Sequence, residues 1–267
     1  MTTLTVPTPD GLALAATTHG DPAAPEILFV HGLGQSRLSW QRQVDALADR
    51  FRIVTFDLRG HGASSRPDAP DAYTDGARWA ADIQAVIDAA ELRRPTAVGW
   101  SFGGFAIGHY LKHQGPDRLR GVALTGAVTR MSPELLQPEA IELGPKVTSP
   151  DVAERIRGIR ETLALTFPTP LDDSDHLQAL AFNAMPPTAL LNGYGQVTND
   201  GIDEAFAAPS RLWLTYGSKD GIVRPAMAER VLGLNPNATL TVYPTAGHAP
   251  FWDEPTRFNR ELTEFAG

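Results

Sequence analysis

Short apolar runs, each stopped by glycine or a polar residue and followed by a stretch of helical period, constrain this chain more than any other feature. Residues 27–30 (ILFV), 52–56 (RIVTF), 96–100 (TAVGW) and 119–125 (LRGVALT) are such runs, and 12–17 (LALAAT), 211–216 (RLWLTY) and 238–243 (ATLTVY) also read as strands. The runs do not alternate strictly between apolar and polar, as expected of strands buried on both faces. Between them, 77–91 places Ala80, Ile83, Val86, Ile87 and Ala90 on one face at three- and four-residue spacing. Residues 103–113, 224–233 and 255–265 read as further helices. Strands that alternate with helices predict an α/β sheet rather than an all-α or all-β protein.

The rhythm breaks after about Ala127 and resumes at 211. Residues 131–205 contain several prolines, an acidic patch at Asp172, Asp173 and Asp175, helical pieces such as 151–165, and no convincing strand. The expectation is a core domain over 1–130 and 206–267, interrupted by a helical cap or lid over 131–205. Such an insertion could cover a site at the carboxyl ends of the strands, or could decorate the periphery without touching a ligand. A chain of 267 residues with 42% hydrophobic content is long enough for one sizeable core.

Charge and composition narrow the partners. The formal net charge of −8 disfavours nucleic acid and anionic membrane. The chain has no cysteine, which excludes disulfides and thiolate metal sites. The first residues, MTTLTVPTPDGL, do not read as a signal peptide, and no run reaches the roughly 18 apolar residues of a membrane span. A cytoplasmic location and a small-molecule substrate are therefore expected, with the oligomeric state left open. No cofactor or metal is expected: His, Asp and Glu show no ligand spacing, and Gly60-x-Gly62 lacks the wider glycine pattern of a dinucleotide loop.

The segment Gly99-Trp100-Ser101-Phe102-Gly103-Gly104 lies between a strand run and a helical one. A sharp strand-to-helix turn there would strain its middle residue and lift the Ser101 hydroxyl off the sheet edge. It would also aim the Phe102 amide and the helix N-terminus at one spot, where developing negative charge is favoured. A glycine-rich turn with an ordinary serine satisfies the same pattern, so position carries the argument. His31-Gly32-Leu33-Gly34 follows the run 27–30, and Leu33 is the candidate for a second oxyanion amide. His31 reads as a structural residue that holds this loop.

His248, in AGHAP just past 238–243, can reach Ser101 across the sheet edge as a general base. His19, His31, His61, His109, His113 and His176 lack that position and read as surface, capping or packing residues. Asp220, in YGSKDG just past 211–216, is the candidate to orient His248, although Asp-Gly is also a common turn pair. The order Ser101, Asp220, His248 fits one known triad arrangement. No carboxylate follows 119–125, where Thr125, Gly126 and Ala127 stand. Asp57 also follows a strand end, but reads as the anchor of a structural turn. Trp100, Trp40 and Phe251 are candidate pocket walls, with packing as the plainer alternative.

With HGLG at 31–34, DLRGHG at 57–62, GWSFGG at 99–104, GSKD at 217–220 and GHAPFWDEP at 247–255, the chain resembles the α/β-hydrolase superfamily, in its serine-nucleophile branch. The resemblance covers the core and implies a mostly parallel eight-stranded sheet flanked by helices, with a helical lid. It implies a serine hydrolase that cleaves a carboxylic ester of small or medium apolar character through an acyl-enzyme. Cofactor-free haloperoxidase-like perhydrolases, lactonases and carbon–carbon bond hydrolases belong to the same branch. Non-catalytic small-molecule-binding proteins share the fold. Serine at 101 argues against dehalogenases and epoxide hydrolases, which carry aspartate there.

Overall fold

The computed structural model describes residues 1–267. Eight strands form one sheet: β1 (Thr2–Pro7), β2 (Ala13–His19), β3 (Glu26–Val30), β4 (Arg52–Phe56), β5 (Thr96–Trp100), β6 (Gly121–Thr125), β7 (Leu212–Gly217) and β8 (Ala238–Tyr243). Their order is β1-β2-β4-β3-β5-β6-β7-β8. β2 pairs antiparallel with both β1 and β4, and every other pairing is parallel. The chain therefore has the mostly parallel eight-stranded sheet of an α/β-hydrolase fold. β1 was not anticipated: of its six residues only Val6 is buried, so it shows no apolar run.

The continuous apolar runs follow from burial on both faces. Leu28, Val30, Ala97, Val122, Leu124, Leu212 and Leu214 enter one core with α2 (Gly76–Ala89) and α3 (Phe102–Gln114). Ile27, Phe29, Val98, Trp100, Ala123 and Trp213 enter a second core, with α1 (Gln41–Leu47) and the last helix, Pro255–Ala266. Each fully buried Val, Leu, Ile or Phe contributes about 1.5–3 kcal/mol. β3 begins with Glu26, whose carboxylate accepts the amides of Arg93 and Arg94, both at 2.9 Å, and so fixes the turn before β5.

Between β6 and β7 the chain forms helices, turns and a single antiparallel bridge from Leu136 to Val223; the helices are α4 (Pro138–Val147), α5 (Val152–Thr166), α6 (Asp173–Ala184), α7 (Thr188–Gly193) and α8 (Ile202–Ala207). The acidic patch has a local purpose, since the Asp172 side chain caps α6 by accepting the Asp175 amide at 2.8 Å. α8 straddles the boundary expected at 205. It packs on α3, with Ile202, Ala205 and Phe206 inside the first core. Beyond β7 lie α9 (Ala226–Leu234), the short α10 (Pro250–Asp253) and α11 (Pro255–Ala266). No helix is long and apolar enough to cross a membrane.

A buried ion pair fastens the β1–β2 end of the molecule. Arg59 and Asp82, both with fully buried side chains, form two parallel hydrogen bonds of 2.7 Å, and Arg59 also reaches Asp10 at 2.9 Å.

Candidate active site

The turn between β5 and α3 is over-determined by its neighbours. Ser101 has φ 52° and ψ −123°, a region that costs a non-glycine residue about 1–3 kcal/mol. Its carbonyl accepts the amides of Gly104 and Val128, each at 2.9 Å. A Cβ on Gly103 would overlap the Val30 carbonyl oxygen and lie 2.7 Å from that of His31, and one on Gly99 would lie 2.9 Å from the Gly104 nitrogen. The glycines therefore let helix and strand approach closely enough to force the turn.

His248 and Asp220 come from the loops after β8 and β7, and the structure joins them: His248 Nδ1 lies 2.9 Å from Asp220 Oδ2. The other carboxylate oxygen accepts the amides of Ile222 at 2.8 Å and Val223 at 2.9 Å. A carboxylate can only accept here, so Nδ1 carries a proton, and in the neutral imidazole Nε2 keeps its lone pair. The His248 carbonyl accepts the Trp100 indole N–H at 2.9 Å. It also explains why no carboxylate follows β6: Gly126, at φ 48°, has no room for a Cβ beside that carbonyl. Ser101 and His248 line the same cavity, without a hydrogen bond between Oγ and Nε2. Such bonds commonly close only when substrate is bound.

The loop at 31–34 lies against the serine, since a Cβ on Gly32 would stand 3.1 Å from Ser101 Cβ. Neither the Leu33 nor the Phe102 N–H donates to a protein acceptor, so both amides are free to bind an anion beside Ser101. Two buried histidines hold this loop. His31 Nε2 accepts the Leu58 amide at 3.0 Å, while its Nδ1 lies 2.7 Å from the Gly32 carbonyl. His61 Nε2 accepts the Gly34 amide at 3.0 Å, and its Nδ1 lies 3.0 Å from the Arg59 carbonyl. Burial pushes His31 down to about 4 and His61 down to about 3, so both are neutral near pH 7. Asp57 anchors the neighbouring turn by accepting the amides of Arg37 at 2.7 Å and Ala63 at 2.9 Å and pairing with the Arg37 guanidinium.

The cavity in front of Ser101 has a volume of about 240 Å³. Of its 25 lining residues 14 are hydrophobic, and α4 and α5 contribute Leu143, Val147, Ile159 and Leu163. Main-chain bonds tie the ends of these helices to the site loops. Gln137 donates to the Ile222 carbonyl at 2.9 Å, and Arg224 to that of Leu135 at 3.0 Å. The Thr166 carbonyl accepts the His248 amide at 3.0 Å. Trp100 lines the cavity, but Trp40 and Phe251 do not, which corrects their assignment as walls. Both are fully buried and pack ring against ring with centroids 4.2 Å apart, with Phe29 stacked on the far side of Trp40. Arg130, Asn183 and Thr166 line the cavity without having been anticipated, because no local pattern marks an inward-facing residue of an irregular helical segment. No group of three or more His, Asp or Glu side chains is placed to hold a metal ion.

This architecture has relatives. The family model described as the alpha/beta hydrolase fold matches residues 25–255, and the chain belongs to that family. The chain is 31% identical over 254 residues to the pimeloyl-[acyl-carrier protein] methyl ester esterase of Chromobacterium violaceum, covering 90% of this chain and 93% of that protein. Among solved structures, a Burkholderia cenocepacia protein assigned as an aryl esterase superposes with a TM-score of 0.94 at 34% identity, covering 99% of this chain and 97% of the other. An esterase from Rhodococcus sp. ECU1013 gives 0.93 at 26% identity, covering 100% and 98%.

Proposed function

We propose that the protein is a serine hydrolase that cleaves a carboxylic ester through an acyl-enzyme, with Ser101 as nucleophile, His248 as general base and Asp220 as its orienting acid. The single observation that carries this is the 2.9 Å Asp220–His248 contact opening onto the same cavity as the strained Ser101. Nε2 of His248 takes the proton of Ser101 as its oxygen attacks the ester carbonyl. The Leu33 and Phe102 amides receive the oxyanion; loss of one such donor costs about 3 kcal/mol in the transition state. The imidazolium, held by Asp220, protonates the departing alcohol. Neutral His248 then activates water, whose attack frees Ser101 and releases the acid.

The helical segment over 131–205 serves as the lid, and its apolar residues favour a small or medium ester with an apolar chain. The esterase names of relatives that span almost the whole chain support the same reading. A fluorophosphonate probe should label wild type at Ser101, and a series of acyl esters of rising length should give a preference that ends where the cavity is filled. An unlabelled Ser101, or ester hydrolysis surviving in Ser101→Ala, would remove the proposed nucleophile.

A further inference from the structure

We infer that Arg130 reads a carboxylate on the substrate, so that the preferred ester bears an anionic group at one end of its apolar chain. The inference rests on the ester-hydrolase reading above and adds a substrate class to it. Among the residues that line the cavity, Arg130 is the only one of the Lys, Arg, Asp and Glu type. It is also close to the chemistry. The Val128 amide donates to the Ser101 carbonyl at 2.9 Å, and Arg130 lies two residues further, at most about 7 Å of extended chain.

The guanidinium is only partly used by the protein. Arg130 Nη1 donates to Asp203 Oδ1 at 3.0 Å, and this is its one hydrogen bond within the protein. The same oxygen is shared with Arg230, which also donates to the Thr129 carbonyl and hydroxyl, each at 3.0 Å. One carboxylate oxygen thus faces two guanidinium groups and cannot neutralise both. Glu134, the next carboxylate along the chain, feels the charge of Arg130 but makes its side-chain hydrogen bond to Ser132 and does not line the cavity. Arg130, its side chain 36% exposed, therefore keeps unused N–H donors beside an otherwise largely apolar space. An apolar substrate would strip water from those donors without replacing it, which is costly. A substrate carboxylate would meet the planar guanidinium fork and restore the lost bonds.

The test is a ratio measured within each protein, so that partial unfolding of a variant cancels. The value of kcat/KM is measured for monomethyl adipate and for methyl hexanoate, by methanol release. Wild type should favour monomethyl adipate. Arg130→Gln should lower the ratio at least about tenfold, the scale of one lost hydrogen bond to a charged group. Asp203→Asn, which frees the Arg130 guanidinium, should raise it. A smaller fall in Arg130→Gln, or a wild type that favours methyl hexanoate, overturns the inference while leaving ester hydrolysis intact. Failure of wild type to cleave either ester, with Ser101 unlabelled by fluorophosphonate, would sink the hydrolase reading and this one with it.

Discussion

The indole N–H of Trp100 donates to the main-chain carbonyl of His248 at 2.9 Å, across 148 residues of sequence. The residue that precedes the elbow serine therefore holds the backbone of the histidine. Trp100→Phe removes both the donor and part of the buried ring, leaving that carbonyl unpaired and a void beside it, at a cost of at least about 1–3 kcal/mol. Urea unfolding should show this loss. Steady-state kinetics should show kcat falling more than KM rises, because His248 loses its fixed position.

The strain at Ser101 separates stability from activity. Ser101→Ala and Ser101→Gly should both lose ester hydrolysis by at least about 10⁴-fold. Only glycine relieves the positive φ of 52°, so Ser101→Gly should be the more stable of the two by about 1 kcal/mol. Thermal melts of the two variants check this, and equal melting temperatures would argue against a strained turn.

Asp220→Asn tests the orienting acid. An amide can present an N–H to His248 Nδ1 and so select the tautomer whose Nε2 bears a proton, useless as a base. A fall in kcat on the order of 10³–10⁴ is expected, with the fold retained. Near-normal kcat would mean that another carboxylate orients His248.

His31 and His61 should make the protein acid-sensitive. Their folded values, about 4 and about 3, lie below the ordinary 6.5 because burial disfavours the charged form. The unfolded chain thus takes up protons that the native state refuses. Stability from these groups is complete only well above pH 6.5 and declines as pH falls toward about 4 for His31 and about 3 for His61. A loss on the order of 3 kcal/mol is expected between pH 7 and pH 5, measured by urea unfolding. A flat profile over that interval would contradict the neutral, loop-holding roles given to the two rings.

Away from the cavity, Asp82→Ala should destabilise without touching catalysis. It leaves the fully buried Arg59 guanidinium with only part of its compensation, at a cost of about 3–5 kcal/mol. The denaturant midpoint should fall, while kcat measured under native conditions should match wild type.

The parallel centre of the sheet was legible because burial on both faces writes unbroken apolar runs such as ILFV at 27–30. β1 was not, since an edge strand with only Val6 buried has no such run to show. The glycines around Ser101 and the strand-end positions of Asp220 and His248 were readable because close backbone approach and loop placement leave local marks. The partners of Trp40 and Phe251 left none: a large aromatic side chain announces burial, but not whether it faces a cavity or another ring. α8 was cut by the expected boundary at 205 because six residues are too few to display a period. Arg130 was missed for a related reason, as its neighbours in space, Asp203 and Arg230, are remote in sequence.

The bonds that tie residues 135–137 and 166 to the loops of Asp220 and His248 run from main chain to main chain. Peptide groups make these attachments whatever side chains flank them. Inward positions such as Leu143, Val147, Ile159 and Leu163 can therefore drift through evolution, or be randomised in a directed library, while the scaffold stays in register. Diversifying those four sites should change which molecules are accepted far more readily than whether the chemistry still works.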